Sequence, residues 1–304
     1  MAPSSSSWHG GVNLRFHCRT SDPETVPQTR HQGGATAPLK LQRAFHQLDG
    51  RCELPILHTA GGLVGGDRLS LELHLEAGSR VLLTSVAAQK VYGSIGRSRQ
   101  APEGRWAEQT LTVQLEPGAD LEWLPQELVV YADGLFCQRT RVDLAPGASW
   151  LGADLVRLGR TAAGETLGAG CWRSQLEILR TDPDGPAHWE LVDRLELAGA
   201  TLTSPHGLAG EPVVGSLVWV APHPLDPTRL TSLLEGCRAD RRGIEGTMAC
   251  GALEQGLVAR FRGRSSAAGR QWFGRLWARV RREQGMPAPQ WPRVWPFQEE
   301  PLPE

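Results

Sequence analysis

The side chains of this chain that could do chemistry are carboxylates and hydroxyls held in glycine-rich or apolar surroundings. The first set is Gly61-Gly62-Leu63-Val64-Gly65-Gly66-Asp67, where one acid closes a run holding four glycines. Glycine spacing there excludes several uses. Gly61 and Gly66 stand as far apart as the glycines of a phosphate loop, but Asp67 replaces the lysine that must meet the phosphates. A dinucleotide turn needs another glycine order and a helix after it, and Leu63-Val64 breaks the calcium-binding nonapeptide. A short acid in such a corner also serves its own backbone, as a cap. Thr84 and Ser85 place two hydroxyls at the end of an apolar run. Glu122 and Glu127 lie among large apolar residues in 121–128, and Glu165 ends a second glycine-rich turn within reach of Arg160. Buried carboxylates require a partner. No G-x-S-x-G elbow and no H-E-x-x-H helix is present. His58, His74, His188, His206 and His223 are far apart in sequence and read as surface or loop residues.

The elements that position these groups read mainly as strands. Leu69, Leu71, Leu73 and Leu75 alternate with polar residues, the pattern of a half-buried strand. The segment Leu75-Glu76-Ala77-Gly78-Ser79 resembles Leu115-Glu116-Pro117-Gly118-Ala119 and Leu144-Ala145-Pro146-Gly147-Ala148, with a looser copy at 197–202. Strand, short corner, strand is the unit, and it predicts stacked sheets or a β-solenoid-like coil around one core. Residues 19–36, polar and broken by Pro23, Pro27, Gly33 and Gly34, read as a mobile loop. Two helices are expected in the C-terminal third. Asp226-Pro227 starts the first. The second spans 267–284, with Trp272, Phe273, Leu276, Trp277 and Val280 on one face and Arg275, Arg279, Arg281 and Arg282 on or near the other. The tail 286–304 is rich in proline and carries Trp291, Trp295 and Phe297, which should dock on this chain or on a partner.

The 304 residues suffice for a single domain over 1–304. A net charge of -1 provides no field for nucleic acid or membranes. Six scattered cysteines without a C-x-x-C pair fit neither a zinc site nor a disulfide framework. Residues 1–11 lack the apolar core of a secretory signal. These features predict a reduced, cytoplasmic protein.

Taken in order, 37–43, 61–67, 87–92, 121–127, 159–165, 273–282 and 292–295 resemble the urease accessory protein D family (UreD, or UreH). The resemblance implies a β-rich, non-enzymatic scaffold for nickel insertion into urease apoprotein. It also implies a UreF-like partner and, through it, a UreG-like GTPase. No stably bound cofactor is implied, only nickel(II) in transit through a water-filled passage. Asp67, Thr84, Ser85 and Glu165 are the motif-borne candidates for that route, since carboxylates and hydroxyls release a divalent ion more readily than thiolate sets do. Trp272, Arg275, Trp277 and Arg279 are the expected partner anchors. The alternative from a different class is a carbohydrate-active β-solenoid hydrolase pairing Glu127 with Asp67 or Glu165.

Overall fold

A computed structural model describes residues 7–19, 26–181 and 185–295. The first strands are β1 (His9–Arg19), β2 (Gln28–Ala35), β3 (Leu39–Leu41), β4 (Phe45–His46), β5 (Cys52–His58) and β6 (Arg68–Leu75). Next come β7 (Arg80–Ser85), β8 (Gln89–Val91), β9 (Ala107–Leu115), β10 (Asp120–Trp123), β11 (Leu128–Val130) and β12 (Leu135–Leu144). The last are β13 (Ser149–Leu158), β14 (Cys171–Arg180), β15 (His188–Leu197), β16 (Val213–Val220), β17 (Thr247–Leu253) and β18 (Gly256–Gly263). Helix α1 (Pro227–Ala239) precedes β17, and α2 (Ser266–Glu283) follows β18. The class is mainly β with two helices in the last third, as the pattern implies.

The strands form a seven-stranded sheet ordered β15-β14-β12-β9-β6-β1-β2 and an eleven-stranded sheet built on β17-β18-β16-β13-β10-β7-β5-β3. Strands β1, β6, β9, β12 and β14 run parallel, as do β5, β7, β10 and β13. Three corners carry the chain from the smaller sheet to the larger. They join β6 to β7, β9 to β10 and β12 to β13, where the repeated sequence lies. Gly78, Gly118 and Gly147 hold φ of +70°, +69° and +70°, a conformation that favours glycine. The corners also bond to one another: Gly78 N–H donates to Pro117 O (3.0 Å) and Gly118 N–H to Pro146 O (3.3 Å). The looser copy at 197–202 makes no such corner. It closes β15 with a short 3-10 turn, Gly199–Leu202.

The two sheets explain two sequence patterns. The smaller sheet buries one face, so β6 alternates and its four leucines point inward. The larger sheet is covered on both faces, so β7 buries Val81, Leu82, Leu83 and Thr84 in a row and β10 buries its whole length. One core lies between the sheets and includes Leu14, Leu73, Val113, Val142, Leu121 and Trp150. A second lies between the larger sheet and the helices and includes Leu82, Leu151, Trp219, Trp272, Leu276 and Trp277. Each such large side chain contributes about 1.5–3 kcal/mol by leaving water.

Asp226 caps α1, accepting from the N–H groups of Thr228 (2.9 Å) and Arg229 (3.2 Å). Ser265 caps α2 through Ala268 N–H (3.2 Å). Two expectations are corrected. The 19–36 segment is not simply a loop, since 28–35 forms edge strand β2, paired antiparallel with β1 from Arg19↔Gln28 to Val12↔Ala35. Residues 20–25 lie outside the described set. Pairing with β1, rather than an apolar pattern of its own, makes this polar segment a strand. Arg281, expected near the solvated face, is buried. Its Nε and Nη2 donate to Glu122 Oε1 (2.7 Å) and Oε2 (2.6 Å). Trp277 Nε1 also donates to Glu122 Oε1 (2.7 Å), and Arg51 bonds Asp120 beside it (2.5 Å).

Burial alone would raise the Glu122 carboxyl, but Arg281 and Arg51 hold it below its ordinary value of 4.5. Its stabilising contribution is therefore complete above that value and lost as pH falls through the depressed one. Arg281→Ala, which leaves Glu122 buried with one arginine fewer, should cost about 3–5 kcal/mol in urea unfolding. Arg282→Ala, at an exposed position, should stay within about 0.5 kcal/mol. Equal effects of the two substitutions would show that the buried pair does not hold α2.

Candidate functional site

The inward rows of both sheets are apolar near the corners and turn polar toward the other end. In the smaller sheet Leu75, Leu115 and Leu144 stand in register, but six residues back along the strands the row reads Leu69, Gln109 and Gln138. In the larger sheet β13 places Asp154 on the face that carries Trp150 and Val156. Strand β5 places His58 in line with Leu54 and Ile56. Polar side chains meet there and leave a cavity of about 80 Å³, room for several waters. Its polar lining is His58, Thr84, Ser85, Gln89, Gln126 and the Gln109–Gln138–Asp154 group, against Ile56, Leu69 and Leu71.

Some of these polar atoms are engaged and some are open. Thr84 Oγ1 donates to Leu124 O and accepts from Trp295 Nε1, both at 2.7 Å. Ser85 Oγ donates to Ala87 O (3.1 Å) and accepts from Gln126 N–H (2.9 Å). Gln126 Nε2 donates to Val86 O (3.1 Å) and Val294 O (2.9 Å), tying the tail to the cavity wall. Gln138 Nε2 donates to Asp154 Oδ1 (2.9 Å). Among the described residues, His58 Nε2 and Gln89 Nε2 are buried and have no hydrogen-bond partner. Burial pushes the Asp154 carboxyl up, with Gln138 opposing. Burial lowers His58, with Asp67 opposing. The lining therefore offers a carboxylate, hydroxyls, amides and an imidazole that burial keeps neutral. No three His, Cys, Asp or Glu side chains gather as a metal set among the described residues.

Of the four sequence candidates, Thr84 and Ser85 line this cavity, while Asp67 and Glu165 stand outside its lining. Asp67 caps the glycine corner. Its Oδ2 accepts from Val64 N–H (2.9 Å) and its Oδ1 from Trp8 N–H (3.1 Å), tying the corner to the start of β1. Gly62 is required there, because a Cβ would lie 2.7 Å from the Tyr92 ring. Glu165 is paired with Arg160 by two hydrogen bonds, which hold its carboxyl below the usual range. The Arg160 guanidinium lies over Tyr131 (4.7 Å), Tyr131 meets the edge of Tyr92 (5.1 Å), and Tyr92 donates to Gly61 O (3.3 Å). The segments 61–67, 87–92 and 159–165 thus converge at one place on the fold.

Asp154, Gln138 and Gln126 did not emerge from the sequence as site residues. The signal for Asp154 was a lone acid in the apolar run 149–158. For His58, read as a loop residue, the signal was its alternation with Leu54 and Ile56. The carboxylates of the hydrolase reading have separate partners: Glu127 is paired with Arg270, Glu165 with Arg160, and Asp67 with backbone N–H groups. A general acid needs a raised carboxyl, and Glu165 is lowered.

The expected partner anchors are engaged within the chain. Trp272 and Trp277 are 0% and 1% exposed, so neither presents a surface to a partner. Arg275 Nη1 donates to Asp240 O (2.7 Å) and Arg242 O (2.9 Å), and Arg279 grips the Asp240 carboxylate (2.6 and 2.7 Å). Helix α2 packs on the larger sheet and on α1, and that packing uses both of its marked faces. The tail also docks on this chain: the Trp291 and Trp295 rings pack at a tilt against Trp277, with centroids 5.9 and 6.2 Å away. Phe297 lies outside the described residues.

Fold and site define a mainly β protein with a half-open cavity of mixed polar and apolar lining between two largely parallel sheets. The family model described as UreD urease accessory protein matches residues 9–296. A "Urease accessory protein UreD" of Synechococcus sp. (strain CC9605) is 59% identical over 295 residues, covering 97% of this chain and 93% of that protein. One of Prochlorococcus marinus (strain MIT 9313) is 58% identical over 294 residues, covering 96% and 92%. This chain belongs to the UreD urease accessory protein family.

Thr84→Val keeps the shape of the side chain and deletes the hydroxyl that joins Leu124 to Trp295. Two buried groups then lose a partner, and stability should fall by about 1–3 kcal/mol. Limited proteolysis should cut the 286–295 segment faster. A variant as stable and as resistant as the parent would show that this hydroxyl does not hold the tail.

Proposed function

We propose that this protein is a non-catalytic urease maturation factor, and that nickel(II) in transit to the urease apoprotein crosses the cavity between its sheets. The observation that carries the nickel reading is the chemistry of the lining. Hydroxyls, amides, one carboxylate and a neutral imidazole interact weakly enough with a divalent ion to let it leave. Asp154 and His58 are its strongest donors, and Thr84 and Ser85 extend it toward the tail. Asp67 belongs to the same reading through its field on His58, and Glu165 as a carboxylate at the edge where the glycine-rich turns converge. The partners are urease apoprotein subunits, a UreF-like accessory protein and, through it, a UreG-like GTPase. Helix α2 supports a partner surface from beneath rather than through Trp272 or Trp277. The compartment is the cytoplasm, where the six cysteines, all unbridged, stay reduced. Among the described residues no helix is long and apolar enough to cross a membrane.

The test separates nickel transfer from assembly. Asp154→Asn and the double variant Asp67→Asn/Glu165→Gln are each co-purified with urease and the UreF-like protein, and urease nickel content is measured on the same samples. The expected result is an intact complex with nickel content several-fold lower for Asp154→Asn, partly restored by excess nickel. Normal loading by both variants would remove the route through the cavity and leave the maturation role standing.

A further inference from the structure

A narrow void of about 20 Å³ lies between β13 and α2, room for one water. It shares Pro125 and Leu155 with the cavity between the sheets. It shares Arg270 and Trp295 with a groove of about 390 Å³ beside the first turns of α2. Cavity, neck and groove therefore adjoin in that order. Glu127 and Arg270 both line the neck and pair with each other there. The pair is largely withdrawn from water, with side chains 21% and 14% exposed. A guanidinium carries five N–H donors, yet among the described residues Glu127 is the only hydrogen-bond partner of Arg270. Arg281, by contrast, is held by both oxygens of Glu122 and by Gln47. The Arg270 guanidinium lies over the Trp295 ring (5.8 Å), and Trp295 is tied to Thr84 at the cavity wall (2.7 Å). One wall of the neck is thus fastened, while the other hangs by a single carboxylate at the edge of an open groove.

We propose that the Glu127–Arg270 pair is a cation-selective gate between the groove and the cavity, in which Arg270 turns out into the groove and an entering cation takes its place on Glu127. The inference rests on the transit reading of the cavity given above and adds what controls entry to it. Withdrawing the guanidinium strands a carboxylate in a poorly hydrated neck, which is costly unless another positive charge replaces it. A hydrated divalent cation supplies that charge, whereas an anion or a neutral solute does not. The groove gives the displaced guanidinium water and room. When Arg270 returns to Glu127, the cation loses its counter-charge in the neck and moves on to the cavity, where Asp154 is the next carboxylate. Closing and releasing are then one event, and no bond other than the ion pair is made or broken.

Ala153 lines the neck, and Leu155 lines both neck and cavity, so Ala153→Cys and Leu155→Cys report passage inward from the groove. Ala153→Cys is the milder change and serves alone if Leu155→Cys does not fold. Each full-length variant is treated with aminoethyl methanethiosulfonate, a cation, or sulfonatoethyl methanethiosulfonate, an anion. Peptide mass spectrometry follows modification at the new cysteine. With the native pair the cation should react faster. Arg270→Met bares Glu127, and the cation-to-anion rate ratio should rise about tenfold; Glu127→Gln leaves the guanidinium alone, and the ratio should fall about tenfold. Arg270→Lys keeps a cation at the neck and should keep the ratio of the parent. A pair that merely fastens α2 would, on losing either member, loosen the neck to both reagents alike. An unchanged ratio, a shift of the same sign in both variants, or no modification at either cysteine would overturn the gate. The gate and the nickel route fail separately. Opposite shifts together with normal urease loading by Asp154→Asn would leave a cation gate that does not serve urease. Unchanged ratios together with poor loading by Asp154→Asn would leave the route and remove the gate.

Discussion

A buried glutamate fixes how the helical layer meets the larger sheet. Glu122 points out of β10 into the space beneath α2, where an unneutralised carboxylate would be strongly unfavourable. Arg281 from the end of α2, Arg51 from the residue before β5 and the Trp277 indole converge on it. Such a cluster need not add net stability over an apolar packing, but removing one member leaves charge stranded. It therefore specifies where α2 sits. Trp277 hangs from the same helix and packs against Trp291 and Trp295. Trp295 in turn reaches Thr84 at the cavity wall. A chain of packed groups thus runs from the ionic cluster to the lining of the cavity.

In that lining the inward faces of the sheets do not complete an apolar core. Gln109, Gln138, Asp154 and His58 occupy positions that β-sheet alternation points inward. Leucines at these positions would complete the apolar core, so packing alone does not account for the polar groups there. On the proposed reading, oxygen and amide donors set around such a space exchange for the waters of a hydrated ion one at a time, whereas a tight three-ligand set would retain it.

Much of this was legible from local pattern. The leucines of β6, the three Pro/Gly corners, the Asp226 helix start and the capping use of Asp67 all follow from interactions within a few residues. What the sequence hid depends on partners far along the chain. The segment 28–35 is a strand because β1 lies beside it. Arg281 is buried because Glu122, in a strand far upstream, needs it. Trp272 and Trp277 looked like interface anchors because an apolar helix face has the same composition whether its cover is a partner or its own sheet. The cavity was half visible: Thr84 and Ser85 stood out as hydroxyls, whereas Asp154 and Gln138 become neighbours only when two sheets are laid face to face.

The stacked corners have a kinetic consequence. No corner turns its two strands back on each other as a hairpin would, because each passes the chain to the opposite sheet. The hydrogen bonds of β6, β7, β9, β10, β12 and β13 therefore go to strands from a different turn of the coil, as in Leu71↔Leu111 or Leu121↔Trp150. Such non-local pairing must close long loops before it is rewarded, so it forms slowly. Until a second turn arrives, each β7-like or β10-like strand exposes apolar residues on both faces and unpaired edges on both sides, the surfaces that draw chains together in the wrong register. The same architecture that frames a cavity in the finished protein thus leaves the apolar faces of a growing chain exposed until its neighbouring turns are made.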